Sequence, residues 1–178
     1  MFSRKYSPTF SRFVPDVSNP PAGQTWVKSL ISGSDPAVLS VPQGANVDGS
    51  KIPIFLSGRV TLYSGSTTPV FSLNICQGAA RQSLFNTSCQ LPVSASGLLI
   101  PFSLSLQGVY DVKTRRLYGL VWGAIINLNA TPAWIGPAFF NSGSTVAPDD
   151  LNFTAWYGFT PAPLAGTIVE ILEFRFGL

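Results

Sequence analysis

KIPIFLSGRVTLYSG, residues 51–65, decides the fold class. Ile52, Ile54, Leu56, Val60 and Leu62 share one parity while Ser57, Arg59 and Thr61 share the other. That period of two belongs to a strand with one face in a core and one in water. VFSLNIC (70–76) repeats the pattern, with Phe71, Leu73 and Ile75 set against Ser72, Asn74 and Cys76. LLIPFSLSLQG (98–108) repeats it again, with Ile100, Phe102, Leu104 and Leu106 alternating with Pro101, Ser103 and Ser105. Pro101 has no N–H for a ladder, so it predicts an edge or a bulge.

Working outward, VYDVKTRRLYGLVWG (109–123) places a polar Asp111–Arg115 turn between two apolar runs, which predicts a hairpin with a three- to five-residue loop. Its outgoing strand carries Tyr118, Leu120, Trp122, Ala124, Ile126 and Leu128 on one face, and Gly119, Val121, Gly123 and Ile125 on the other. Glycines so spaced admit a close backbone or a large side chain. LNFTAWYGFT (151–160) and GTIVEILEFRFGL (166–178) read as strands; the last is apolar on both faces, which predicts a central or covered position. Weaker strands are read at TWVKSLI (25–31), AVLSV (37–41) and around Leu84 or Leu91–Val93.

No stretch holds apolar residues at helical spacing, and fifteen prolines and sixteen glycines would interrupt most helices. SGSD, SGR, SGST, SASG and NSGS all read as loops. Residues 129–150, NATPAWIGPAFFNSGSTVAPDD, are aromatic without alternation and read as a long contact loop. Seven to nine strands in 178 residues predict an all-β chain: an antiparallel β-sandwich, jelly-roll-like, as a single domain over 25–178 behind an extended N-terminal arm at 1–24.

Only 11% of the residues are charged, whereas 46% are hydrophobic. Soluble domains average about 25% charge, so part of this surface is expected to be covered by other protein. A membrane is not expected: the longest apolar run, GLVWGAIINL (119–128), is half the ~20 residues a spanning helix needs, and MFSRKYSPTFSRFVPDV lacks the apolar core and cleavage site of a signal peptide. Cys76 and Cys89 form no CxxC; a disulfide between them is geometrically open, and two separate thiols are the preferred reading. NTS, NAT and NFT at 86–88, 129–131 and 152–154 matter only in a secretory compartment.

The chain contains no histidine, which excludes the Ser-His-Asp triad, the Cys-His pair and the HExxH zinc site. It has no phosphate-cradling glycine motif and no calcium loop, so no cofactor or metal is read and no enzyme is expected. Asp149, Asp150, Glu170 and Glu173 are the carboxylates weighed for glycosidase chemistry. Asp149 and Asp150 fit a turn after Pro148, and Glu173 two residues from Arg175 fits a surface pair.

Residues 1–15 carry three cations and no acid, while residues 16–178 balance eight against eight, so the net charge of +3 belongs to the arm. In MFSRKYSPTFSRF the cations Arg4, Lys5 and Arg12 interleave with Phe2, Tyr6, Phe10 and Phe13. Disordered tails are poor in aromatics and nucleic-acid tails are denser in charge, so the arm is read as ordering on a neighbouring protein rather than on nucleic acid. Trp134, Phe139 and Phe140 in the 129–150 segment join it as candidate partner contacts. With Trp156, Tyr157 and Phe159 they would alternatively furnish a sugar platform, although large aromatics dominate cores and interfaces.

An extended arm, one strand-rich domain, serine- and glycine-punctuated turns and a closing strand, TIVEILEFRFGL, together resemble the decoration or cement proteins of tailed-bacteriophage capsids. That resemblance implies a jelly roll without catalysis, an arm lying on the major capsid protein or another virion protein, self-association as a homo-oligomer, with a trimer favoured, and a place in the virion after assembly in the host cytoplasm. A carbohydrate- or receptor-binding head of a viral spike or fibre, and a jelly-roll capsid subunit, are the alternatives.

Overall fold

The structure is a computed structural model that describes residues 23–26, 38–40, 51–78, 82–111, 113–127, 129, 131–142 and 152–176. Ten strands follow in order: β1 (Gly23–Trp26), β2 (Val38–Ser40), β3 (Lys51–Leu62), β4 (Val70–Gln77), β5 (Gln82–Gln90), β6 (Leu98–Asp111), β7 (Arg116–Ile126), β8 (Pro132–Asn141), β9 (Asn152–Thr160) and β10 (Ile168–Phe176). They form two antiparallel sheets. The front sheet runs β10-β3-β6-β7-β8, and the back sheet runs β1-β9-β4-β5, with β2 also pairing β9. β3 pairs with β10 in front while β4 pairs with β9 behind, so paired strands cross together between the layers, as in a jelly roll.

The core is the inward parity of both sheets. In β3 burial alternates without interruption, placing Ile52, Ile54, Leu56, Val60 and Leu62 inside. Phe102 of β6 meets Phe71 of β4 with ring centroids 5.4 Å apart, and Phe71 meets Phe159 of β9 at 5.1 Å. Burying side chains of this size contributes about 1.5–3 kcal/mol each, enough to fix which parity faces inward.

Several sequence expectations need correction. SGR at 57–59 is no loop: Ser57, Gly58 and Arg59 continue β3, and Gly58 gives room for the Phe102 ring, whose Cζ lies 2.6 Å from where a Cβ would stand. Pro101 is not on an edge strand, because β6 lies between β3 and β7; the β7 ladder stops at Phe102, just short of the proline. β10 ends its sheet instead of lying in the middle. An irregularity between Ile171 and Glu173 shifts its parity, so Val169, Ile171 and Phe174 are buried and Leu172 is exposed. Within 129–150, residues 132–141 form β8 instead of a loop, and residues 130 and 143–150 lie outside the described residues.

Other expectations hold. The hairpin from Asp111 to Arg116 is closed by the Asp111 carboxylate, which accepts from the Lys113 and Thr114 backbone N–H groups and from the Thr114 hydroxyl. β1 (Gly23–Trp26) overlaps the weak strand read at 25–31, of which residues 27–31 lie outside the described residues. Neither cysteine is in a disulfide. Cys76 pairs with Ser83 and Cys89 with Phe71, thirteen residues apart in sequence and five positions apart along β4, or roughly 17 Å, far beyond disulfide reach.

Candidate functional site

β7 has apolar residues on both parities, and packing decides between them. Leu117, Val121 and Ile125 enter the core together with Gly119 and Gly123, and Phe140 of β8 lies against Gly119, its ring 2.5 Å from a Cβ built there. Larger side chains at the glycines would collide with backbone carbonyls of Gln107 and Ser103 on β6. Tyr118, Leu120, Trp122 and Ala124 are therefore left on the outside of the front sheet.

β8 supplies the neighbouring aromatics through a change of phase. From Pro132 to Ile135, the even positions face outward; the ladder then shifts opposite Trp122, and from Ala138 to Asn141 the odd positions face outward. Gly136, at φ +78°, makes the irregularity, and a Cβ there would meet the Val121 carbonyl. Trp134 and Phe139 consequently point the same way despite an odd separation.

The registers arrange this outer face in rows across the strands. Gln107, Leu120 and Phe139 form one row, and Ser103, Ala124 and Trp134 another; Ser105 and Trp122 lie between them. Trp134 is 79% exposed, Phe139 68%, Leu120 49% and Trp122 37%. Tyr118 stacks on Phe139 with ring centroids 6.3 Å apart. Beside Trp134, a shallow cleft of about 270 Å³ opens between Pro101, Ser103, Ala124, Ile126 and Pro132, and its walls are almost wholly apolar.

The other half of the same sheet is charged and internally paired. Arg59 of β3 reaches Glu170 of β10 through two nitrogens, the Nη2–Oε1 distance being 3.1 Å. These hydrogen bonds hold the Glu170 carboxyl below its ordinary range and raise the Arg59 guanidinium. Glu173 accepts from the Ser57 hydroxyl at 3.3 Å and lies 3.5 Å from Arg175, which covers the Phe55 ring at 5.4 Å. Both carboxylates weighed for catalysis on β10 are thus engaged by cations on the sheet surface.

Of the sequence candidates, Trp134 and Phe139 come together on the outer face. Phe140 does not: it is 4% exposed and belongs to the core, because the phase shift in β8 turns it inward. Tyr157 and Phe159 are core residues, and Trp156 stands on the back sheet with its Nε1–H donating to the Thr154 hydroxyl at 3.1 Å, so these three add nothing to a platform at Trp134. Phe2, Arg4, Lys5, Tyr6, Phe10, Arg12 and Phe13, together with Asp149 and Asp150, lie outside the described residues. Leu120 and Trp122 are the contributors that sequence reading left unassigned; their signal was a strand apolar on both parities. Among the described residues there is no group of three His, Cys, Asp or Glu side chains placed to hold a metal ion, and no helix long and apolar enough to cross a membrane.

No protein-family model matches the chain, and no curated protein matches it. Among solved structures, peanut lectin with a nine-residue peptide is similar at a TM-score of 0.25 and 12% identity, covering 98% of this chain and 93% of that one, a likeness too slight to inform fold or ligand.

Proposed function

We propose that the protein is a structural adhesion protein of a virus particle, of the capsid decoration type, acting by burying apolar surface against the major capsid protein or another virion protein. The observation that carries this reading is the aromatic face of β6, β7 and β8, whose rows from Gln107–Leu120–Phe139 to Ser103–Ala124–Trp134 hold no charged residue. Contiguous exposed apolar patches beyond about 300–600 Å² are rare on soluble monomers and mark contact surfaces. At 150–250 Å² per aromatic side chain, the exposed parts of Trp122, Trp134 and Phe139 alone amount to roughly 300–450 Å². The low charge of the chain agrees, and the arm supplies a second, chemically different attachment.

The test is sedimentation of the chain from cells that make its particle. The native chain is expected to travel with particles, and a Trp134→Ser/Phe139→Ser variant to remain at the top of the gradient. A chain lacking residues 1–15 is expected to bind more weakly. Equal particle association for all three would overturn the reading.

A second reading has one observation in its favour. Trp122 and Trp134 lie beside Ser103, Ser105 and Gln107, so indole faces and hydrogen-bonding groups share one surface. A glycan-binding module would use that pairing, and retention of particle association with loss of binding on a glycan array would select it.

A further inference from the structure

We propose that the Asp111–Arg116 turn, together with Lys51 beside it, is a contact site for the phosphate backbone of nucleic acid. The described residues contain six cations, and two of them are engaged: Arg59 is held by Glu170, and Arg175 lies beside Glu173. The other four, Lys51, Lys113, Arg115 and Arg116, gather at one end of the front sheet. Lys51 opens β3 opposite Val109, Val109 pairs with Tyr118, and Arg116 stands one step further along β7, opposite Asp111. Strand spacing puts the Cα atoms of Lys51 and Arg116 about 12 Å apart, with Lys113 and Arg115 in the turn beyond them. Lys51, Lys113 and Arg115 are exposed, and Arg116 is half-buried. Asp111 is the carboxylate of this end among the described residues. Its two oxygens are occupied by the Lys113 and Thr114 backbone N–H groups and the Thr114 hydroxyl, so it closes the turn and neutralises little of the cluster.

The backbone of the turn is a second observation. Arg115 has φ +52°, in the left-handed region that glycine enters freely and a long side chain does not. Among the described residues no other non-glycine residue is so placed. Glycine would close the hairpin with less strain, and what it would lack is the guanidinium. Strain retained at a charged, exposed position points to a use for the charge. Composition then selects the partner. The cores of protein interfaces are depleted in charge, and lysine is depleted across them. Four cations on a hairpin end suit phosphates repeated along a strand, where each neutralised charge releases a counterion. The site lies apart from the central aromatic rows, so it is independent of the adhesion reading.

The test is fluorescence anisotropy of a labelled, mixed-sequence single strand of about 20 nucleotides, titrated with the full chain between about 50 and 200 mM salt. Four phosphate contacts contribute roughly −2.8 to the slope of log K against log salt, an affinity loss of about fifty-fold over that range. Lys113→Gln/Arg116→Gln is expected to make the slope shallower by about 1.4, and Arg115→Gly by about 0.7. Arg115→Gly is also expected to leave the urea midpoint no lower than the parent's, whereas a residue kept for the turn alone would lower it. Arg59→Gln removes the same charge from the ion-paired half of the sheet and should leave the slope unchanged. Three results would overturn the proposal. One is an unchanged slope in both turn variants, and another is loss of all binding when residues 1–15 are deleted. The third is equally tight binding of labelled poly-glutamate, which would assign the turn to an acidic protein.

Discussion

Replacing Gly119 by alanine perturbs the packing that orients the aromatic face. The added methyl would stand 2.5 Å from the Phe140 ring and against the Gln107 carbonyl, and backbone on that side has no room to yield. Overfilling a packed core costs about 1–3 kcal/mol. Should Phe140 instead leave its site, most of the ~1.5–3 kcal/mol of its burial is lost. Alanine returns about 0.5–1 kcal/mol by restricting the unfolded chain. The net expectation is a loss of roughly 1–1.5 kcal/mol, or a midpoint about 2–6 °C lower for a domain of this size. Gly108→Ala is the control. Its methyl would meet mainly the Leu117 side chain, with Cδ1 at 2.9 Å, and its nearest backbone contact is the Ile52 carbonyl at 3.5 Å. It should cost clearly less. Thermal and urea unfolding of both variants measure the difference. A Gly119→Ala protein within ~0.5 kcal/mol of the parent, in the range of neutral surface changes, would refute the placement of Phe140 over Gly119.

Three further outcomes are expected. Trp134→Ser should leave the urea midpoint within the ~0.5 kcal/mol typical of surface changes, since its ring is 79% exposed, and a large loss would mean that Trp134 is packed. Glu170 and Asp111 have carboxyls held low, by Arg59 and by Thr114 respectively. Their contribution is therefore complete above the unfolded carboxylate range near pH ~4 and disappears as pH falls through the lower folded values. Urea midpoints between pH 6 and 3 should decline less steeply for Glu170→Gln than for the parent, and an unchanged slope would count against the Arg59 pairing. Both thiols should react slowly with a thiol reagent in the native protein and fully after denaturation without reductant, and recovery of fewer than two would reveal a disulfide.

The fold was legible where one side of a strand is polar. In β3 and β6 the serines keep one parity and most of the apolar residues the other, and burial follows. It was illegible where both parities are apolar: in β7 only the packing of Phe140 on Gly119 settles which side faces out. β8 escaped notice for another reason. An alternating pattern interrupted by a phase change at Gly136 looks like no pattern at all, so Trp134 and Phe139 were singled out as aromatics without the strand that unites them. β10 misled in the same way through its shift between Ile171 and Glu173.

The phase change in β8 means that the character of the front surface is set by counting. Removing one residue between Ile135 and Ala138 would restore strict alternation with Trp134 and Phe139 four apart and still on one face, whereas losing the irregularity at unchanged length would send one of them toward the interior. Such a deletion alters neither charge nor average hydropathy to any useful extent. In a lineage of such chains, the trait to follow at this surface is the spacing between the two aromatics together with the irregularity: an odd spacing keeps them on one side only in a bulged strand, and an even spacing only in a regular one.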